Sequence, residues 1–223
     1  TYECAFRLNQ SVPSGNNMGL WAFGPDPLQD CKAFGLKISS SQCGSNKLWL
    51  WGHNCPEFCG PTVQINHDYK CIVVVTGNNL KLYLDGVLEM DVTMNLTGVI
   101  SDNYFIGLGW DSYNFQGYID DVRIWDFPWA QTDVTNAYNS CIYPNNSSLI
   151  SGWDFNQSTL NEVVNIKSNI DDIDFNVNCS LEAYSSSTNC VSSGTYSYLW
   201  SDGSTTSMQI SYRMTQQFVL VLH

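Results

Sequence analysis

Apolar and polar residues alternate in short runs along most of the chain, most clearly from Cys71 to Met94. Cys71-Ile72-Val73-Val74-Val75-Thr76 reads as a strand, and Gly77-Asn78-Asn79 as a turn, since Gly and Asn tolerate positive φ. Leu80, Leu82 and Leu84 then share one face. Asp85-Gly86 is a hairpin signal. After it Leu88, Met90, Val92 and Met94 point one way, and Glu89, Asp91 and Thr93 the other. Such runs recur roughly every ten residues, bounded by Gly, Asn, Asp and Pro, which marks an all-β antiparallel sandwich. Over Tyr118 to Trp125, strict alternation cannot bring Ile119, Val122 and Ile124 to one face. A β-bulge at Asp120-Asp121 would do so by adding a residue to the strand. Helical periodicity is confined to Thr132–Tyr138, about two turns with Thr132 as N-cap.

The pattern changes after Asn176. Ser, Thr and Gly dominate from Cys179 to Thr206, with an Asp202-Gly203 turn, so the expected organisation is a sandwich over 1–176 and a second, smaller β module over 177–223. That module is short for a core of its own. Its last strand, Phe218 to Leu222, is apolar on both faces and needs cover on both. Both ends of the chain read as strand text without a flanking turn, which suits an incomplete module and a segment of a longer protein.

Composition narrows the function. Nine Lys and Arg against 21 Asp and Glu give a net charge of −12, so nucleic acid and anionic membrane surfaces are excluded as expected partners. No apolar run approaches the ~18 residues of a membrane-inserted helix. Nine Cys in a chain with 13% charged residues suit an oxidising compartment, hence a secreted or cell-surface protein. Cys179 and Cys190 flank a Ser-rich turn and are expected to pair. Among Cys31, Cys43, Cys55, Cys59 and Cys141 the pairing is open. Zinc would suit the Cys55–Cys59 spacing but not the wide Cys31–Cys43 one, so disulfides are favoured. Glycosylation sequons fall at Asn9, Asn95, Asn145, Asn146, Asn156 and Asn178, with Asn95, just after a strand, the best placed.

The block Tyr69-Lys70-Cys71 through Leu84-Asp85-Gly86, followed by Gly117-Tyr118-Ile119-Asp120-Asp121-Val122-Arg123-Ile124-Trp125-Asp126, resembles the laminin-G-like and pentraxin branch of the concanavalin A-like sandwiches. Leu149 to Asn156 is similar to the strand that closes a pentraxin domain. The resemblance implies a jelly roll of two antiparallel sheets, with the family's opening strands lying before Tyr2. It also implies a disulfide between Cys4 and Cys71. Of the family's Ca²⁺ ligands only Asn46 and Asp111 have counterparts, far from the six to eight oxygens that Ca²⁺ takes. No other cofactor is implied. Tyr198 to Thr206 resembles the hairpin of Ig-like repeats in secreted adhesins.

Catalysis finds no support in the motifs. The glucanases of this fold carry Glu-x-Asp-x-x-Glu, whereas Glu89-Met90-Asp91 is followed at position 94 by Met. Aromatic residues are the remaining binding candidates. Trp49 and Trp51 share one strand face, which is either a stacking platform for sugar rings or buried. Trp110, Tyr113 and Phe115, with Asp111, lie in an expected loop and either cap the core or touch a partner. The expected function is non-enzymatic: adhesion or fibre assembly by self-association or with other extracellular proteins. The alternative is a glycan-binding lectin domain.

Overall fold

The computed structural model describes residues 1–24, 28–96, 103–107, 115–140 and 146–153, and four short strands beyond them. In chain order the strands are β1 (Tyr2–Leu8), β2 (Asn17–Gly24), β3 (Phe34–Ser39), β4 (Lys47–Gly52), β5 (Phe58–Thr62), β6 (Asp68–Thr76), β7 (Asn79–Leu84), β8 (Val87–Thr93), β9 (Asn103–Ile106), β10 (Gly117–Trp125) and β11 (Leu149–Trp153). Helix α1 (Gln131–Ser140) separates the last two. One sheet has six strands in the order β11-β10-β1-β6-β7-β8, the other five in the order β5-β4-β3-β2-β9. All ladders are antiparallel, so the architecture is a jelly-roll sandwich. Further on, β12 (Glu162–Val163) pairs with β13 (Ile173–Asp174), and β14 (Ser180–Tyr184) with β15 (Ser211–Thr215). The hairpin expected at Tyr198 to Thr206 and the strand Phe218 to Leu222 lie outside the described residues.

Alternation puts one face of each strand into a shared core. Phe6, Leu8, Val73 and Leu82 of the six-stranded sheet meet Leu20, Leu36, Ile38, Leu48 and Leu50 of the other. Each such side chain contributes about 1.5–3 kcal/mol on burial. An aromatic knot locks one end. Phe23 and Phe34 meet edge-on at 4.1 Å, and Tyr2 stacks on Phe23 at 4.7 Å. The expected bulge on β10 is present. Glu3 pairs with Arg123 and Ala5 with Asp120, so Asp121 and Val122 together face Cys4. Asp121 takes φ +51°, and Ile119, Val122 and Ile124 all reach the core.

Two expectations are corrected. Leu88 does not join Met90 in the core but is 43% exposed. Tyr83 pairs with Leu88 and Leu82 with Met90, so Glu89 is an extra residue that turns Leu88 outward. Thr132 is not the helix cap. The helix begins one residue earlier, at Gln131, and the Asp133 carboxylate reaches back to accept the Ala130 N–H at 2.8 Å.

The outer face of the six-stranded sheet is covered as well. Val134 and Ala137 of α1 pack on Ile72, Val74, Tyr83 and Trp125. Beneath the helix the buried Glu3 carboxylate accepts from Arg123 at 3.0 Å and from the Trp125 indole at 3.2 Å, and pairs with Lys70 at 3.3 Å. Lys70 in turn donates to the Ala137 carbonyl at 3.2 Å, tying helix to sheet.

Gly117 is the tightest point between β1 and β10. A Cβ there would stand 1.9 Å from the Arg7 carbonyl oxygen, which is backbone and cannot rotate away. Gly117→Ala is expected to lower stability by at least ~3 kcal/mol, read by urea denaturation. A loss below ~1 kcal/mol would show that the two strands are not in this register.

Candidate functional site

The outer face of the five-stranded sheet carries a second cluster. Strand register aligns Lys37 on β3 with Trp49 on β4, and Trp49 with Cys59 on β5. One step along, Gly35 faces Trp51. The Lys37 ammonium settles against both indoles. It lies 4.1 Å from the Trp51 ring centre and 5.3 Å from that of Trp49. Such cation–π contacts gain strength when desolvated, and Lys37 is only 1% exposed. Trp49 and Trp51 are 4% and 7% exposed, packed with Ala33, Leu28 and Cys43. The Trp face is therefore buried, not an open platform.

Two disulfides close this cluster. Cys31 bonds Cys55, tying the β2–β3 loop to the β4–β5 loop. Cys43 bonds Cys59, tying the β3–β4 loop to β5. The four cysteines are consumed pairwise, and no group of three or more metal-ligating His, Cys, Asp or Glu occurs among the described residues. Above the indoles sits a polar rim. Asn54 donates to the Asp30 carboxylate at 2.7 Å, and the His53 ring lies 6.4 Å from that of Trp51. Glu57 keeps part of its surface in water. Burial of the rest pushes its carboxyl above the usual value, while the charge of Lys37 and a hydrogen bond with Trp49 pull it partly back.

The other expected residues distribute as follows. Phe115 is 5% exposed and packs edge-on against Phe6 at 6.2 Å, so it caps the core. Trp110, Asp111, Tyr113, Cys141, Cys179, Cys190, Asn145, Asn156 and Asn178 lie outside the described residues. Asn46 spends its carboxamide on the chain itself. It accepts from the Val12 N–H at 2.9 Å and donates to Ser11 at 3.2 Å, which ties it into the fold rather than offering it to a cation. Asn95 is exposed and Asn9 half-buried; Asn146 opens a short 3-10 turn. Cys4 and Cys71 stand opposite each other on β1 and β6, the placement the implied disulfide requires, and the structure carries both as thiols. Burial pushes the Cys4 thiol up to about 12 and that of Cys71 well above its usual value.

The profile of the concanavalin A-like lectin/glucanases superfamily matches residues 15–135, which span β2 to the start of α1. The chain belongs to this superfamily. No curated protein matches it in sequence. Among solved structures, a candidate carbohydrate binding protein from Bacteroides ovatus resembles this concanavalin A-like chain with TM-score 0.60 at 13% identity, over 77% of this chain and 50% of that one. The chain thus spans half the length of that protein. Domain 4 of AbnA, a GH43 extracellular arabinanase from Geobacillus stearothermophilus, gives TM-score 0.48 at 19% identity, over 60% and 64% of the two chains. A heptameric SAP-like pentraxin from Limulus polyphemus gives 0.46 at 13%, over 64% and 70%.

Sequence reasoning named Trp49 and Trp51 but missed Lys37, Asp30, Asn54 and Glu57. The available signal was position, since Asp30 adjoins Cys31 and Asn54 adjoins Cys55 in this concanavalin A-like fold.

Non-reducing peptide mapping is expected to recover Cys31–Cys55 and Cys43–Cys59 links, with Cys4 and Cys71 alkylated only after unfolding. A Cys4–Cys71 crosslink would contradict the thiol assignment. Glu57 gives a pH signature. Its ionised form is the costly one in the fold, so the penalty is full above the folded pKa and fades as pH falls toward the unfolded value. Glu57→Gln should gain stability relative to wild type as pH rises from about 4 to about 7, read from urea midpoints. Equal differences at both pH values would show Glu57 to be fully solvated.

Proposed function

We propose that this chain is a non-catalytic carbohydrate-binding module working outside the cell. The observation that carries the reading is the loop end of the five-stranded sheet. There Asp30, His53 and Asn54, groups that hydrogen-bond hydroxyls well, stand beside an indole pair, and disulfides hold the loops that bear them. Membership in a superfamily of lectins and glucanases supports it, as does likeness to a protein described as a candidate for carbohydrate binding. The absence of enzymatic chemistry belongs to the proposal. It rests on Glu89 and Asp91 being exposed on the edge strand β8, where Asp91 accepts from Asn79 at 2.7 Å and pairs with Lys81 at 3.7 Å. Disulfides at the site and the exposed sequon at Asn95 favour a secreted or surface protein.

Adhesion by self-assembly is the second reading. The exposed Val87 and Leu88 on β8, at 59% and 43%, favour it, because an apolar edge invites pairing with another strand.

A glycan array probed with the purified chain is expected to give selective binding, and His53→Ala, at a half-exposed rim residue, should weaken it about 3–10-fold while the thermal midpoint stays nearly fixed. Self-association without sugar and an empty array would favour assembly instead.

A further inference from the structure

Strand β8 ends the six-stranded sheet, and among the described residues no strand pairs with its far side. An edge of this kind presents backbone N–H and C=O groups that another strand can take up. β8 is also held in place along its length. At the Asp85-Gly86 turn the Tyr138 ring of α1 packs so close that a Cβ on Gly86 would stand 2.9 Å from Tyr138 Cδ1. Beyond the other end the Met94 N–H donates to the Asn78 carbonyl at 2.8 Å, and Met94 is buried. Between them Met90 packs onto β5, where a Cβ on Gly60 would stand 2.9 Å from the Met90 sulfur. An edge fixed before a partner arrives loses little freedom on pairing.

The side chains of β8 select the partner. Val87 is 59% exposed, and Leu88, turned out of the core by the extra residue Glu89, is 43% exposed. Glu89 and Asp91 are exposed beside them. Lys81, one strand inward, is drawn to Asp91 at 3.7 Å. That leaves Glu89 as the unmatched charge, since among the described residues it makes no hydrogen bond or ion pair. The edge therefore offers apolar surface next to negative charge, on a chain of net charge −12.

A second copy fits this edge poorly. Antiparallel pairing about a two-fold at Met90 sets Glu89 of one copy opposite Asp91 of the other. A two-fold at Glu89 or at Asp91 sets that acid opposite itself. Like charges directly opposite destabilise a ladder, and charges and bulges are the devices that keep an edge from joining its own kind. A strand with Lys or Arg at alternate positions escapes the repulsion. Its cations oppose Glu89, its apolar residues cover Val87 and Leu88, and the acidic chain attracts it from a distance.

We infer that β8 is a docking edge for an extended segment of another protein in which basic and apolar residues alternate, added to the sheet as a further strand. The inference is independent of the carbohydrate-binding reading, which concerns the other sheet.

The test titrates the full chain with three short acetylated peptides: one of alternating Lys and Val, one of alternating Glu and Val, and the Lys–Val peptide with alternate backbone nitrogens methylated. The methylated peptide keeps its charge but cannot complete the ladder. Binding of the unmethylated Lys–Val peptide alone is expected, with slowed amide hydrogen exchange along Val87–Thr93 and weakening as salt rises. Glu89→Lys, at an exposed position, should weaken it about 5-fold without shifting the thermal midpoint. Unchanged affinity in Glu89→Lys would overturn the selection by charge. Equal binding of the methylated peptide, or exchange protection away from β8, would show general attraction to an acidic protein and overturn the docking edge. Protection of β8 in the chain alone, rising with its concentration, would overturn the choice of partner and make a second copy the occupant. No binding of any peptide would overturn the inference while leaving the carbohydrate-binding reading untouched.

Discussion

Every strand has two faces, and in this molecule both sheets must bury both of theirs. The shared core takes one face of each sheet. The remaining faces carry Ile72, Val74 and Tyr83 on one side of the sandwich and Trp49 and Trp51 on the other, groups too apolar to leave in water. The fold answers with two additional layers of different kinds. A helix covers the first face, and disulfide-tied loops cover the second. The position of the site follows from that asymmetry, because polar loop residues are displayed only where loops, and not a helix, form the cover.

Charge is handled in the same divided way. Arg123 and Lys70 are drawn under the helix by Glu3, and Lys37 is drawn between the indoles. Arg7 is held by Asp68 through a bond of 2.6 Å from its Nε. In a chain with nine Lys and Arg, four are thereby committed to the fold. Burying a cation is tolerable only with partners in place, and here the partners are the elements that each cation joins.

The two sulfur pairs show how different the same residue type becomes under different cover. Cys4 and Cys71 face each other in the core, buried as thiols. Cys31–Cys55 and Cys43–Cys59 sit at the loop end, partly open to water, and are bonded. One pair fills the core, and the other two fix the loops of the candidate binding rim. In the concanavalin A-like superfamily to which the chain belongs, those loops are the part of the sandwich free to differ without disturbing the sheets.

The alternation of Leu80, Leu82 and Leu84 and the broken alternation of Ile119, Val122 and Ile124 determined the sandwich and one of its bulges, because a strand's period of two is a local property. The Asp85-Gly86 turn was likewise local; both residues take positive φ, +50° and +79°. Tertiary structure decided what local pattern leaves degenerate. Leu88 fits either face until the register against β7 inserts Glu89 as an extra residue. Thr132 is a good cap until Asp133 reaches the Ala130 N–H first. Trp49 and Trp51 read equally as platform or core until Lys37 and the loops close over them. Cys31 had several candidate partners until the β2–β3 and β4–β5 loops met. Each of these depends on which distant segments come within a few ångströms of one another, and that is set by sheet order, which no short stretch of sequence contains.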